Sequence, residues 1–342
     1  MKSLSDLVNP AESLFMWQLE ENMRKFVSML LLLALCTALV SCGETSSDTA
    51  EVYHVGILQF APHVALDAAT QGFQDALTDK LGSDKVEFDL KNASGETANC
   101  STIAAGFVSD QVDLIMANAT PAVSACASAT GTIPILGTSV TEYGAALDID
   151  DFQGTSGRNI SGTSDLAPLD QQAAMIKEIF PEASTVGVLY CSGEANSKYQ
   201  VKMITQYLEE LGLEAEPFAF TDTNDIAAVT QSACDGSDVI YIPTDNRAAE
   251  YAETINNVAL NAKTPIFTGE EGICQKCGVA TLTISYYDLG YQTGLMAYRI
   301  LAEGEDISKM QIEYAPEFTK KYNPAIAQEY GLTFGSDYEA IG

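Results

Sequence analysis

Val55-Gly56-Ile57-Leu58 reads as a short buried strand, and 131 residues further on (186 − 55) Val186-Gly187-Val188-Leu189 repeats it. Pro134-Ile135-Leu136 returns as Pro265-Ile266-Phe267 at the same offset (265 − 134), and Asp113-Leu114-Ile115 is echoed by Asp238-Val239-Ile240. Self-similarity at a fixed spacing decides architecture before any single motif does. Behind the first copy, Leu66, Ala69, Phe73, Ala76 and Leu77 fall at helical spacing. A strand at 85–90, a helix at 97–108, a strand at 113–117, a helix opening at Thr120-Pro121 and a strand at 133–137 continue the alternation. Apolar runs alternating with helices are βαβ units on a parallel sheet. Because the grammar restarts at Val186, the expected fold is α/β, with two doubly wound parallel-sheet lobes joined by a multi-strand hinge. A strand at 279–284, a helix at 287–301 and a strand near 311–315 exceed what the second lobe needs and cross back to the first. The expected lobes are 53–162 plus 285–316, and 163–284 plus 317–342. Crossings near 161–165, 281–285 and 315–319 restrict them to opening and closing as rigid bodies.

With 342 residues, 46% of them apolar, the chain can bury two cores. Its formal charge of -30, from 17 Lys and Arg against 47 Asp and Glu, disfavours nucleic acid, whose binding depends on Lys and Arg releasing counterions. One segment departs from the globular pattern. Met23-Arg24-Lys25 is followed by an apolar run from Phe26 to Val40 and then by Ser41-Cys42-Gly43. Positive flank, apolar run and small residues at its end are the parts of an export signal, and the run is short for a span of about 20 residues. Leu39-Val40-Ser41-Cys42-Gly43 resembles the bacterial lipobox, in which the cysteine carries the lipid and becomes the mature N-terminus. The expectation is a signal region with lipobox at 1–42, a polar tether at 43–52, and lipid anchoring through Cys42 on the extracytoplasmic face of the cell membrane.

Eight cysteines include Cys36 and Cys42 in that segment, leaving six for the mature domain. Cys274-Gln275-Lys276-Cys277 is a lone Cys-x-x-Cys, and with His54 and His63 as the chain's two histidines no second ligand pair completes a zinc site. A disulfide and a pair of thiols both remain open at this point. No cofactor is expected. Gly-x-Ser-x-Gly and Gly-x-x-x-x-Gly-Lys-Ser/Thr are absent, and no Gly-x-Gly-x-x-Gly follows Leu58, so the sequence speaks for a binder rather than an enzyme.

Ligands of open parallel sheets sit at the carboxyl ends of the strands, where helix N-termini present free N–H groups. Those ends are Gln59-Phe60-Ala61-Pro62-His63, Asn118-Ala119-Thr120-Pro121 and 138–142 in the first lobe. In the second they are 191–197, Pro243-Thr244-Asp245-Asn246 and Gly269-Glu270-Glu271. The candidate ligand contacts taken from them are Gln59, Phe60, His63, Thr120, Ser139, Thr141, Glu194, Asn196, Ser197, Asp245, Asn246 and Glu271. Thr120 and Ser197, placed to cap helices, offer donors to a carboxylate, whereas Asp245, Glu194 and Glu271 can accept from an ammonium group. Asp245 stands out, because a carboxylate at the mouth of a buried strand needs a cation or donors. Phe60, Tyr143 and Tyr190 are candidates to wall an apolar side chain. The set suits a small zwitterion.

The run Val55–Asp67, Ala119-Thr120-Pro121-Ala122, Glu194-Ala195-Asn196-Ser197, Pro243-Thr244-Asp245-Asn246, Tyr286-Tyr287-Asp288-Leu289-Gly290-Tyr291-Gln292-Thr293 and the tail from Asn323-Pro324 to Gly331 together resemble the ABC transporter substrate-binding protein family that includes tryptophan- and tyrosine-binding lipoproteins. The resemblance covers about 53–332. It implies a type I periplasmic-binding-protein fold, an amino acid ligand, expected to be aromatic, captured by clam-shell closure, and an ABC permease as partner. Where that family commonly has Thr-Asp-Pro, this chain has Thr141-Glu142-Tyr143, expected to put a longer acid and a ring at the cleft edge. The alternatives are a ligand-sensing receptor module of the same fold, or a binding protein for a nucleoside or sugar.

Overall fold

The computed structural model describes Trp17, Glu21, Met23, Arg24, 52–315 and 317–342. The apolar run, Cys36, the lipobox with Cys42 and the tether as far as residue 51 lie outside the described residues. The architecture below is that of the unit Val52–Gly342.

Strand β1 (Tyr53–Gln59) is apolar on both faces and lies inside its sheet, between the edge strand β2 (Val86–Asn92) and β3 (Leu114–Asn118). A continuous Val/Ile/Leu run is what a strand covered on both sides needs. Helix α1 (Val64–Leu81) follows, burying Leu66, Ala69, Phe73, Ala76 and Leu77, the stripe expected from the spacing. Then come α2 (Thr97–Ser109), β3, α3 (Thr120–Ala129), β4 (Ile135–Val140), the short α4 (Tyr143–Leu147) and β5 (Ile160–Ser164). The second lobe runs α5 (Leu169–Ile179), β6 (Thr185–Cys191), α6 (Ala195–Glu210), β7 (Glu214–Phe220), α7 (Ile226–Gly236), β8 (Val239–Ile242), α8 (Asn246–Glu250), α9 (Ala252–Ala262), β9 (Ile266–Thr268), α10 (Glu271–Cys277) and β10 (Ala280–Thr283).

Both sheets share one topology. The first is ordered β2-β1-β3-β4-β5 and the second β7-β6-β8-β9-β10, each extended beyond its last strand by later chain. The 131-residue offset therefore places β6 and β9 where the first lobe has β1 and β4, and β8 stands where β3 does at an offset of 125 (238 − 113). After β10 the chain enters α11 (Tyr286–Glu303), which packs on α1 of the first lobe, and β11 (Glu313–Tyr314) joins β5 in parallel. The chain then passes back to β12 (Thr319–Tyr322), antiparallel to β10, and ends with α12 (Pro324–Glu329) and β13 (Glu339–Ala340). Three segments thus link the sheets, after β5, after β10 and after β11. The α1–α11 contact is unusually close: a Cβ at Gly290 would overlap the carbonyl of Ala69, and one at Gly72 the carbonyl of Tyr287. Those two glycines fasten the returning helix to the first lobe.

All six described cysteines are buried free thiols. Burial pushes the Cys274 and Cys277 thiols well above their ordinary range, which keeps them protonated and poorly nucleophilic.

Candidate functional site: the cleft between the lobes

The carboxyl ends of the two sheets face each other across a narrow cleft. His63, Ala65, Leu66, Ser139 and Thr141 form the first lobe's side; Asn196, Thr244, Asp245, Asn246, Ala249 and Glu270 form the second's. Asp165 and Tyr286 close the hinge end. The free volume left among them is about 10 Å³, the order of a single water, so the lobes stand closed and must part to admit any solute.

The expected residues divide into those that reach this space and those that do not. His63, Ser139, Thr141, Asn196, Asp245 and Asn246 line it. Gln59 does not: its amide donates to Ala61 O at 2.9 Å and Asp67 Oδ1 at 2.7 Å, and its carbonyl accepts from Thr70, so it ties β1 to α1. Phe60 belongs to the first lobe's core. Thr120 is the first residue of α3 rather than its cap, and its buried hydroxyl has no partner. Ser197 is the third residue of α6, fully buried, and donates to Asp245 Oδ2 at 2.7 Å. Glu194 precedes α6, yet its carboxylate serves α8, accepting from the Asn246 side chain at 2.5 Å and from the Arg247 amide at 3.0 Å. Glu271 turns outward to pair with Lys321 at 2.7 Å; its neighbour Glu270 caps α10, faces the cleft and is 2% exposed. Glu142 caps α4 through the amides of Gly144 and Ala145, and Tyr143 is a core residue donating to Thr163 O at 3.0 Å. The departure at 141–143 therefore alters local structure, and neither the ring nor the longer acid lines the enclosed space between the strand ends.

Two cleft groups, Asp165 and Tyr286, lie outside the strand ends taken from the sequence, and two more, Thr244 and Glu270, lie in those ends but are not among the contacts chosen from them. Asp165 directly follows β5, a fifth strand end that the apolar pattern did not reveal because Ile160-Ser161-Gly162-Thr163-Ser164 is mostly small and polar. Glu270 and Glu271 are indistinguishable in type; only the start of α10 separates cap from first helical residue.

The electrostatics are one-sided. Asp165, Glu194, Asp245 and Glu270 are all buried, and no Lys or Arg is among the described residues lining the cleft. Burial pushes Asp165 up to about 6 and Glu270 up to about 7. Glu194 and Asp245 are raised by burial as well, Glu194 further by the neighbouring Asp245 carboxylate. His63 is held at about 4 by burial, so its neutral ring donates from Nε2 to Asn246 Oδ1 at 3.2 Å, the Asn246 amide already facing Glu194. Asp245 is well supplied from its own lobe, by the Cys191 amide (2.7 Å), Ser197 Oγ and the Ala248 amide (2.8 Å). Asp165 has fewer: Tyr286 donates to Oδ2 at 2.9 Å, the Thr141 hydroxyl and the Asp165 amide lie near enough to favour its charge, and Oδ1 accepts no well-formed hydrogen bond. Ser139 Oγ and Asn196 Oδ1 are likewise buried and unpartnered around the same space. Ser139 also sits at φ 54, beside a register shift in β4, a strained position of the sort that persists where function requires it.

A pH dependence follows from these shifts. The folded protein holds protons on the cleft acids that the unfolded chain has released, so stability falls as pH rises between about 4 and about 7. Neutral His63 works the other way, but as one group against four. One net unit is about 1.4 kcal/mol, or about 2–4 °C for a protein of this size. The unliganded protein should therefore melt a few degrees higher at about pH 5 than at about pH 8. A melting temperature that climbs across that window would contradict the assignment of buried, unneutralised acids.

Comparison with known proteins agrees with this geometry. Residues 54–338 match the family described as ABC transporter substrate binding protein, and the chain belongs to that family. A curated relative, the tyrosine-binding protein of Clostridioides difficile (strain R20291), is 33% identical over 268 residues, 78% of this chain and 77% of the relative. Among solved structures, an ABC domain from Streptococcus pneumonia in complex with L-Trp superposes with a TM-score of 0.80 at 32% identity, covering 84% of this chain and 97% of that one. A ligand-free, open substrate-binding protein with adhesive properties from Clostridium difficile gives 0.66 at 33% identity, covering 85% and 99%. A leucine-binding protein from Thermotoga maritima, 18% identical with a TM-score of 0.59 over 82% of this chain and 87% of its own, shares the type I periplasmic-binding-protein fold. The family binds substrates for ABC transporters and is not a family of enzymes. Substrate-binding proteins of ABC importers are extracytoplasmic and work with a permease.

Proposed function

We propose that this chain is a lipid-anchored substrate-binding protein of an ABC importer and that it captures an aromatic amino acid. The observation that carries the reading is the surplus of buried carboxylate around a cleft without Lys or Arg. Charges buried in that way need a counter-charge, and an ammonium group brought by the ligand supplies one. In this reading Asp165 takes the ammonium through its free Oδ1, with Asp245 and Glu270 behind it, while the hydroxyl of Ser139 is a neutral donor for the ligand carboxylate. Tyr286 supplies an aromatic wall. The jaws are 53–162 plus 285–316, and 163–284 plus 317–342. Relatives that bind tyrosine or are seen with L-Trp support the aromatic side chain.

Calorimetry tests it directly. L-tyrosine or L-tryptophan should bind, whereas 3-(4-hydroxyphenyl)propionate and indole-3-propionate, which lack the ammonium group, should bind at least about 100-fold more weakly, the scale for leaving a buried charge unpaired. Equal binding of the deaminated analogues, or tighter binding of a sugar or nucleoside, would overturn the reading.

The anchor has its own test. Cys42→Ala should leave the protein unprocessed or shed it from the membrane fraction; a processed, lipid-labelled Cys42→Ala protein would refute anchoring at that position.

A further inference from the structure

We propose that Arg247 is a latch between the lobes, which holds the closed state and sets how long a captured solute stays, without touching the solute itself. The proposal deepens the solute-capture reading above and rests on it only for its kinetic readout. Arg247 belongs to α8 of the second lobe, but its Nη2 reaches the loop between β2 and α2 of the first, donating to Gly95 O at 2.7 Å and to Glu96 Oε1 at 2.9 Å. Nη1 is held on its own helix by Glu250 Oε2 at 3.2 Å. Gly95 sits at φ 74, and a Cβ there would come within 2.8 Å of Nη1, so the absent side chain makes room for the guanidinium.

The latch is wired to the cleft. Its backbone amide donates to Glu194 Oε1, and Glu194 also holds the Asn246 amide and side chain. Asn246 in turn accepts from His63 of the first lobe. Two consecutive residues of α8 thus reach across the gap, and one buried acid positions both. When the lobes part, the bonds to Gly95, Glu96 and His63 must break, whereas those to Glu250 and Glu194 persist. The cross-lobe bonds therefore favour closure alone. A group that favours only the closed state shifts the closure equilibrium and changes apparent affinity through the closed fraction. Its loss should appear in the dissociation rate, because the diffusional encounter with open lobes does not use it.

Glu96 has a side chain 62% exposed on the rim of the first lobe, so Glu96→Gln perturbs no core. In the full chain, Glu96→Gln should raise the dissociation rate of L-tyrosine about two- to five-fold, the scale for one solvated ion pair. Arg247→Met, which also removes the hydrogen bond to Gly95, should raise it about ten-fold or more, with the association rate unchanged in both. Small-angle scattering of the unliganded variants should give a larger radius of gyration than the parent protein, and added salt should move the parent toward Glu96→Gln. Unchanged dissociation and unchanged scattering in both variants would overturn the latch, as would a fall in association rate alone. Should neither L-tyrosine nor L-tryptophan bind the parent protein, the amino acid reading fails. The latch then stands or falls on the scattering and on hydrogen exchange in the loop at 93–96, which should speed up in Glu96→Gln and Arg247→Met.

Discussion

Asp165→Asn is expected to weaken binding of L-tyrosine or L-tryptophan by about 2–4 kcal/mol, roughly 30- to 1000-fold, the range for removing one member of a desolvated charge pair. The same change should leave the fold intact and raise the melting temperature of the unliganded protein at about pH 8. Asparagine keeps an oxygen for the Tyr286 hydroxyl, while removing a buried charge that nothing in the cleft neutralises. Affinity and stability thus move in opposite directions, which a merely structural role for Asp165 would not produce. Tyr286→Phe serves as the control, costing one hydrogen bond, about 1 kcal/mol. Isothermal calorimetry beside a thermal melt settles the matter, and unchanged affinity in Asp165→Asn would remove Asp165 from the site.

Asp245→Asn is expected to do the reverse, lowering stability by about 2–4 kcal/mol. Its two oxygens accept from the Cys191 and Ala248 amides and from Ser197 Oγ, which fasten α8 and the start of α6 to the end of β6. An asparagine that keeps its oxygen on the Ala248 amide turns hydrogens toward the Cys191 amide and Ser197 Oγ, so the buried Cys191 donor loses its acceptor at about 1–3 kcal/mol and the lost Ser197 hydrogen bond adds about 1 kcal/mol. Removing a buried charge returns part of this, which keeps the loss from growing larger. Chemical denaturation measures the difference. A variant as stable as the parent protein would show that the Asp245 carboxylate is not what organises α8.

The contrast between these two aspartates marks where reading the chain alone stops. Asp245 drew attention because it ends a strand written plainly in apolar residues, Val239-Ile240-Tyr241-Ile242. Asp165 did not, because β5 is built of small and polar residues and gains its place from its neighbours β4 and β11. Glu270 and Glu271 carry identical chemistry; their roles were parted by one residue of helix phase and by Lys321, fifty positions away.

What the sequence determined by itself was the architecture. Doubly buried parallel strands must be written as unbroken apolar runs, their helices as spaced apolar stripes, and a duplication copies both. Two lobes, the cleft between their strand ends and its acidic lining follow from that local grammar. The tertiary structure alone decided which acids are supplied with donors and which are left bare, that Tyr143 is core while Tyr286 faces the cleft, and that Arg247 reaches Gly95 and Glu96 across it. Those outcomes depend on distances between residues far apart in the chain, and a side chain's hydrogen-bonding capacity is spent on whichever donor or acceptor packing brings within about 3 Å.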